Sequence, residues 1–232
     1  MTATQSPVWT KVCIIGNSYI GAVRKAYQSG EVKTDPYDIA FFASPGERFK
    51  NVDIVDGEIS NIYLGDNESK SVKDYGTVVV YGDMPLPSHV LFAFRRVPAE
   101  KYSRAVRKSC LLAWLLGFNS YRLVSALVAR QMPKVILLSR NYPVREETGT
   151  HDERVDGVNL IQEMLESASY LPAPRILFGD DGKPRQEFYN GSLNVAGDEP
   201  DRTKQPFHHL DHLNLAGGQV MLAAIVDYLR AE

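Results

Sequence analysis

Two polar residues, far apart in the chain, have the types and settings that acyl-transfer chemistry uses. Ser18 follows the apolar run 11–15 (KVCII) through Gly16-Asn17. It precedes the stretch 19–28, in which Ile20, Val23, Ala26 and Tyr27 recur at helical spacing. Backbone N–H groups at a helix start point outward and favour negative charge. A serine hydroxyl there can attack an acyl carbon while nearby amides hold the oxyanion. The same position also suits a plain helix cap, a role open to either Asn17 or Ser18.

The second residue is His212, in the run His208-His209-Leu210-Asp211-His212-Leu213-Asn214 just before an apolar C-terminal helix, 215–230. Asn214 is the expected N-cap of that helix. The positive potential of a helix N-terminus favours a neutral imidazole, the form that acts as a base. Three histidines in five residues also raise metal binding. Yet His208 and His209 are adjacent and cannot share one face, and no Cys or Glu joins His209 and His212 at a zinc-site spacing. A solvated polar loop is the plain alternative. No metal and no cofactor are expected.

The elements that position these residues read as alternating strands and helices. Buried strands are expected at 11–15, 38–43 (DIAFFA), 77–81 (TVVVY) and 134–139 (KVILLS), with a further one at 175–178. Residues 52–64 alternate around Asp56-Gly57, a hairpin signal. Helices are expected over 99–130, broken near Gly117-Phe118-Asn119, and over 152–169. The stretch 179–206 reads as the most flexible loop. This alternation implies a mostly parallel sheet covered on both faces, in one domain spanning 1–232. In such sheets ligands bind beyond the carboxyl ends of the strands. That directs attention to Gly16 to Ser18, Ser44 to Gly46, Gly82 to Met84 and Arg140 to Tyr142.

A candidate nucleophile after the first strand and a candidate base before the last helix would then share one sheet edge. In this the chain resembles the SGNH (GDSL-like) hydrolase superfamily. Gly16-Asn17-Ser18 is similar to its first block, Ser44-Pro45-Gly46 to its second, and His212-Leu213-Asn214 with Gly217 or Gly218 to its last. The resemblance implies a flavodoxin-like three-layer α/β/α sandwich with a five-stranded parallel sheet. It implies Ser18 as nucleophile and His212 as general base. The Ser18 amide and Gly46 would be oxyanion donors, with Asn17, Gly82 and Asp83 at neighbouring block positions.

Two departures stand out. The third block should carry an asparagine, but the strand ends Tyr81-Gly82-Asp83-Met84, leaving Asn141 or Asn119 as substitutes. Losing one oxyanion donor costs about 2.7–4 kcal/mol of transition-state stabilisation. The acid should lie three residues before the base, and His209 stands there. Neutralising the triad acid of a serine protease lowers kcat about 10⁴-fold, roughly 5.4 kcal/mol. His209 can fix the tautomer of His212 without supplying charge. The site is therefore a Ser-His dyad, a rearranged triad using Asp211 or Asp201, or one that has lost hydrolysis.

Composition narrows the function classes. The chain has 232 residues, 44% of them hydrophobic, which suits one large α/β domain. A net charge of -2 gives no basic footprint for nucleic acid. No apolar run reaches membrane-spanning length, and the first residues do not read as a signal peptide, so a cytoplasmic location is expected. Cys13 and Cys110 sit in apolar runs and are expected to be buried free thiols.

The leading expectation is a serine-dependent acyl hydrolase or O-acyltransferase acting on an O-acylated small molecule or saccharide. Tyr19, Tyr81 and Tyr142 stand near the strand ends as cleft or packing aromatics. The alternative is a catalytically degenerate binding protein on the same scaffold, for a saccharide or another small ligand. A phosphate-binding turn fits less well, because Gly16-Asn17-Ser18-Tyr19-Ile20-Gly21 lacks the dinucleotide glycine pattern and a P-loop lysine. An apolar face on 99–130 would suit a homo-oligomer.

Overall fold

The computed structural model describes residues 10–65, 69–139, 150–179, 183–189 and 212–231. In chain order, β1 (Thr10–Gly16) leads to α1 (Ile20–Ser29) and β2 (Tyr37–Ala43). A 3-10 turn, Gly46–Asn51, precedes the short strands β3 (Asp53–Val55), β4 (Glu58–Ser60) and β5 (Leu64–Gly65). Then come β6 (Thr77–Tyr81), α2 (Pro87–Arg95), α3 (Arg104–Leu115), α4 (Asn119–Ala129) and β7 (Val135–Leu138). The chain closes with α5 (His151–Leu165), β8 (Ser169–Leu171), 3-10 turns at Arg175–Leu177 and Gln186–Phe188, and α6 (Leu215–Ala231).

Five strands are parallel, in the order β2-β1-β6-β7-β8, and β5 adds a two-residue antiparallel edge beside β2. This is the expected mostly parallel α/β/α arrangement. Strand residues alternate between two apolar layers. Cys13, Ile15, Val78, Val80 and Leu137 face the layer covered by α2 to α5. Val12, Ile14, Val79, Ile136 and Leu138 face the layer covered by α1 and α6. Runs such as TVVVY are apolar at every position because both faces are covered.

The Asp56-Gly57 hairpin forms as expected, with both residues at positive φ (52° and 85°), but β3 and β4 form a separate two-stranded sheet, extended by a single bridge from Glu58 to Ser71. The helical stretch begins later than position 99 and breaks between α3 and α4, which meet at 108° around Gly117. The separate helix α2 starts on Pro87, whose fixed φ suits a first helical turn. The expected strand at 175–178 is instead a 3-10 turn after Pro174, and the fifth parallel strand lies upstream in β8. Helix α5 therefore ends at Leu165 rather than 169, stopped by Glu166 at φ 54°.

Cys13 is buried, and desolvation pushes its thiol well above the usual range, but Cys110 is exposed on α3. Helix α3 also leaves Val106, Leu112 and Trp114 exposed, and its C-cap residue Leu116 is exposed too. Of the expected flexible loop, 180–182 and 190–206 lie outside the described residues. Its described part carries the Phe178–Pro184 bridge and a 3-10 turn. No single helix among the described residues is long and apolar enough to cross a membrane.

Helices α1 and α6 pack side by side on one face of the sheet. Gly218 permits the close approach, since a Cβ there would stand 2.3 Å from the Ala22 carbonyl oxygen. Gly218→Ala should cost about 1–3 kcal/mol through forced separation of the two helices. The expected readout is a lower urea midpoint at unchanged slope. Unchanged stability would mean that the helices do not approach this closely.

Candidate active site

The turn that carries Ser18 is set by its neighbours. Gly16 ends β1 against β6, where a Cβ would stand 2.1 Å from the Tyr81 carbonyl oxygen. The Asn17 N–H donates to that same carbonyl at 3.3 Å. The Asn17 side chain turns forward, and its Oδ1 accepts the Tyr19 N–H at 3.0 Å. Helix α1 has Tyr19 as its N-cap, and no side chain caps it there. Asn17 thus takes the local side-chain hydrogen bond of the turn, and the Ser18 hydroxyl points elsewhere.

It points to His212. The Nε2 atom of His212 and the Ser18 Oγ are 2.9 Å apart, across 194 residues of sequence. Both residues are half-buried. The distance lies within the range at which a base takes a proton from a nucleophile. For that role Nε2 must present its lone pair, so Nδ1 carries the hydrogen. The Tyr19 ring packs on the imidazole with centroids 5.4 Å apart, and it lies 6.0 Å from the ring of the fully buried Tyr81.

His212 is held from the C-terminal side. Asn214 is the expected cap of α6, its Oδ1 accepting the Gly217 N–H at 3.0 Å. Its Nδ2 donates to the carbonyls of Glu187 (2.6 Å) and Tyr189 (3.0 Å), and its N–H donates to Phe188 O at 2.9 Å. One residue therefore caps the helix and ties it to the preceding turn. Leu213, between the histidine and the cap, is buried at 1% exposure, so the backbone beside His212 is anchored in the core.

The second block borders the serine turn. The Ser44 N–H donates to Gly16 O at 3.1 Å, which fastens the end of β2 to the end of β1. The Ser44 hydroxyl is committed to Asn61 O (2.9 Å) and to the Tyr63 N–H (3.1 Å). Gly46 is exposed at the start of its 3-10 turn, at φ 52°.

The third block does different work from the one expected of it. The Asp83 carboxylate accepts the N–H groups of Asn119 (3.3 Å) and Ser120 (3.0 Å) and the Ser120 hydroxyl (3.3 Å), so it caps α4 from outside. Gly82 is buried beside the Phe49 ring. Asn119 is not a substitute oxyanion donor. It is 2% exposed, and its Nδ2 is committed to the carbonyls of Phe49 (2.6 Å) and Val52 (3.1 Å). Sequence reading missed this because the cap and its carboxylate are separated by 36 residues. Asn141, Tyr142, Asp201, His208, His209 and Asp211 lie outside the described residues. Among the described residues no group of His, Cys, Asp or Glu is arranged to hold a metal.

No family profile matches the chain, and no curated protein matches it by sequence. Among solved structures it is similar to a Streptococcus pneumonia protein provisionally described as a platelet activating factor. That pair is 13% identical with a TM-score of 0.47, over 97% of this chain and 86% of the other. It is also similar to the lipase Lip_vut3 from a goat rumen metagenome, at 12% identity and a TM-score of 0.43, over 96% of each chain. A third is the salicylyl-acyltransferase SsfX3 from a tetracycline biosynthetic pathway, at 11% identity and a TM-score of 0.44, over 98% of this chain and 55% of that one.

Asn214 and Asp83 should separate in their effects. Asn214→Ala removes the α6 cap and both ties to the 187–189 carbonyls, and should cost about 1–2 kcal/mol in a denaturant melt. Asn214→Asp keeps the capping oxygen but loses the Nδ2 donors, so it should recover part of that loss. Asp83→Ala should cost a similar amount through α4. Equal stability of Asn214→Ala and the parent protein would refute the tie.

Proposed function

We propose that this protein is a serine-dependent acyl hydrolase or O-acyltransferase of the SGNH kind, with Ser18 as nucleophile and His212 as general base. The observation that carries the reading is the 2.9 Å contact between Ser18 Oγ and His212 Nε2. A hydroxyl that served only as a helix cap would bond to backbone amides of α1 instead.

In the proposed reaction Ser18 Oγ attacks the ester carbonyl carbon as His212 Nε2 takes the hydroxyl proton. The carbonyl π pair moves to oxygen, and the Ser18 and Gly46 amides are the proposed donors to that oxyanion. Collapse of the tetrahedral intermediate breaks the bond to the leaving alkoxide, which receives the proton from the His212 imidazolium. Water, or an acceptor hydroxyl, then attacks the acyl-serine with His212 again as base. The two acceptors distinguish hydrolase from transferase, and the same side chains serve both. The substrate class proposed is an O-acylated small molecule or saccharide, with Tyr19 beside the base as an aromatic wall for it.

A fluorophosphonate probe tests the nucleophile. Covalent labelling should occur on the parent protein and disappear in Ser18→Ala. His212→Ala should slow labelling by about 10²-fold or more, the usual scale of general-base assistance. Absence of labelling at every pH would sink the enzyme reading and favour a binding protein on this scaffold.

A further inference from the structure

Helix α3 is exposed along most of its length, yet its outward side carries no charge. Among its twelve residues only Leu111 and Leu115 are buried. At about 3.6 residues per turn, its three charged side chains, Arg104, Arg107 and Lys108, flank that buried seam. The other seven positions are all exposed and uncharged, with Val106, Leu112 and Trp114 the largest among them. A surface helix ordinarily does the reverse, turning an apolar stripe inward and charge to water. Phe92 on α2, Tyr102 just before α3 and Leu116 just after it widen the apolar area, and Phe92 is 58% exposed.

The rim of this face is mostly cationic. Between Phe92 and Gly117 the chain places six Lys or Arg residues and one acid, Glu100, in a molecule whose net charge is -2. Acids of α5 reach three of the six. Glu153 and Asp156 each lie 3.6 Å from Arg95, and Glu163 pairs with Arg104 (2.7 Å) and Lys108 (2.5 Å). With Glu100 and these three acids counted, cations still lead by six to four. Arg107 lies over the Phe94 ring at 4.1 Å, and Arg96 over the exposed Phe92 ring at 4.5 Å. Among the described residues Arg96 and Lys101 form no ion pair.

Two occupants could cover such a face. Ala105, Ser109 and Ala113 recur one turn apart and would let the helix of a second copy approach closely. A two-fold contact, however, sets the same patch against itself and brings two cationic rims together. An anionic lipid surface answers both parts at once. Apolar side chains enter the acyl boundary, and Lys and Arg stay at the headgroups. We infer that the outward face of α3, with Phe92 and Tyr102, docks this protein on an anionic lipid surface. The helix lies on that surface and does not cross it, because twelve residues span about 18 Å against a hydrocarbon core of about 30 Å. The face ends at the sheet edge that carries Ser18. Trp114 packs edge-on to Phe118 at 5.1 Å, and the next residue, Asn119, is held by Asp83 beyond the carboxyl end of β6. The inference goes beyond the acyl-transfer reading and does not need it.

The test is flotation of the full chain with vesicles of phosphatidylcholine alone or of phosphatidylcholine mixed with phosphatidylglycerol. The protein should bind the anionic vesicles about tenfold more tightly than the neutral ones, and lose that margin as salt rises. Val106→Asp puts a charge on the outward face at the third residue of α3, where an acid suits the helix dipole, so the fold should hold. Val106→Asp and Lys101→Glu should each weaken binding about tenfold, with the circular dichroism unchanged. In Trp9→Phe protein, where Trp114 is the remaining tryptophan, emission should move to shorter wavelength on anionic vesicles. Ser18→Ala should bind as the parent does, which separates this outcome from that of the acyl-transfer reading. Failure to bind anionic vesicles overturns the proposal, as does equal binding to both vesicles or binding that ignores both charge substitutions. A solution dimer that Val106→Asp splits, without vesicle binding, gives the face to a second copy instead.

Discussion

The contact between α1 and α6 is the constraint on which the site depends. Each helix starts at the carboxyl edge of the sheet, one directly after Ser18 and the other directly after His212 and its cap. Packed on the same face, with the backbone of Ala22 filling the space where Gly218 has no side chain, they hold both N-terminal ends together. The separation of 194 positions between Ser18 and His212 adds little closure cost, because loop entropy grows only logarithmically with length. A bulkier residue at 218 would move a whole helix, and the histidine ahead of it, away from the serine.

Within that frame the serine turn divides its polar work among neighbours. Asn17 Oδ1 satisfies an N–H of the turn, and the Asn17 N–H reaches back to β6. The second block is fastened to the first through Ser44, so the ends of β1 and β2 move as one unit. Ser18 is left as the polar side chain of the turn that faces His212. An unused hydroxyl beside a helix start would ordinarily satisfy an orphan amide. Here that local demand is met by the preceding residue.

The parts legible in the sequence are those fixed by local chemistry. A β-branched run ending in Gly-Asn-Ser, and an asparagine immediately before an apolar helix, announce a turn and a cap whatever surrounds them. The Asp56-Gly57 hairpin was legible for the same reason, since both residues tolerate positive φ. The illegible parts depend on distant partners. The strand Ser169–Leu171 is three residues long and lies between a left-handed Glu166 and Pro172, so no period-two pattern accumulates. The run Arg175-Ile176-Leu177-Phe178 looks more like a strand, but Pro174 starts a 3-10 turn there. Asp83 sits where the third block lends site groups, and only folding brings the bare N-terminus of α4 against its carboxylate. Asn119 looked available as a polar donor at a break in the helical stretch, and only the loop 49–52 folding over it consumes its amide.

The same distinction clarifies what a missing acid would mean for His212. In a serine triad the carboxylate both holds the imidazole in place and stabilises the imidazolium. Among the described residues, three groups contribute to placement. Leu213 is buried, Asn214 is tied at three points to the 187–189 turn, and the Tyr19 ring covers one side of the imidazole. These contacts fix the backbone beside His212, whose Nε2 lies 2.9 Å from Ser18 Oγ. The electrostatic contribution is separable from placement. Replacing Asp211 or Asp201 should lower the rate of acyl transfer if either serves His212, without loosening α6 or weakening ligand affinity. A loss of stability in step with the loss of rate would place the carboxylate in the scaffold instead.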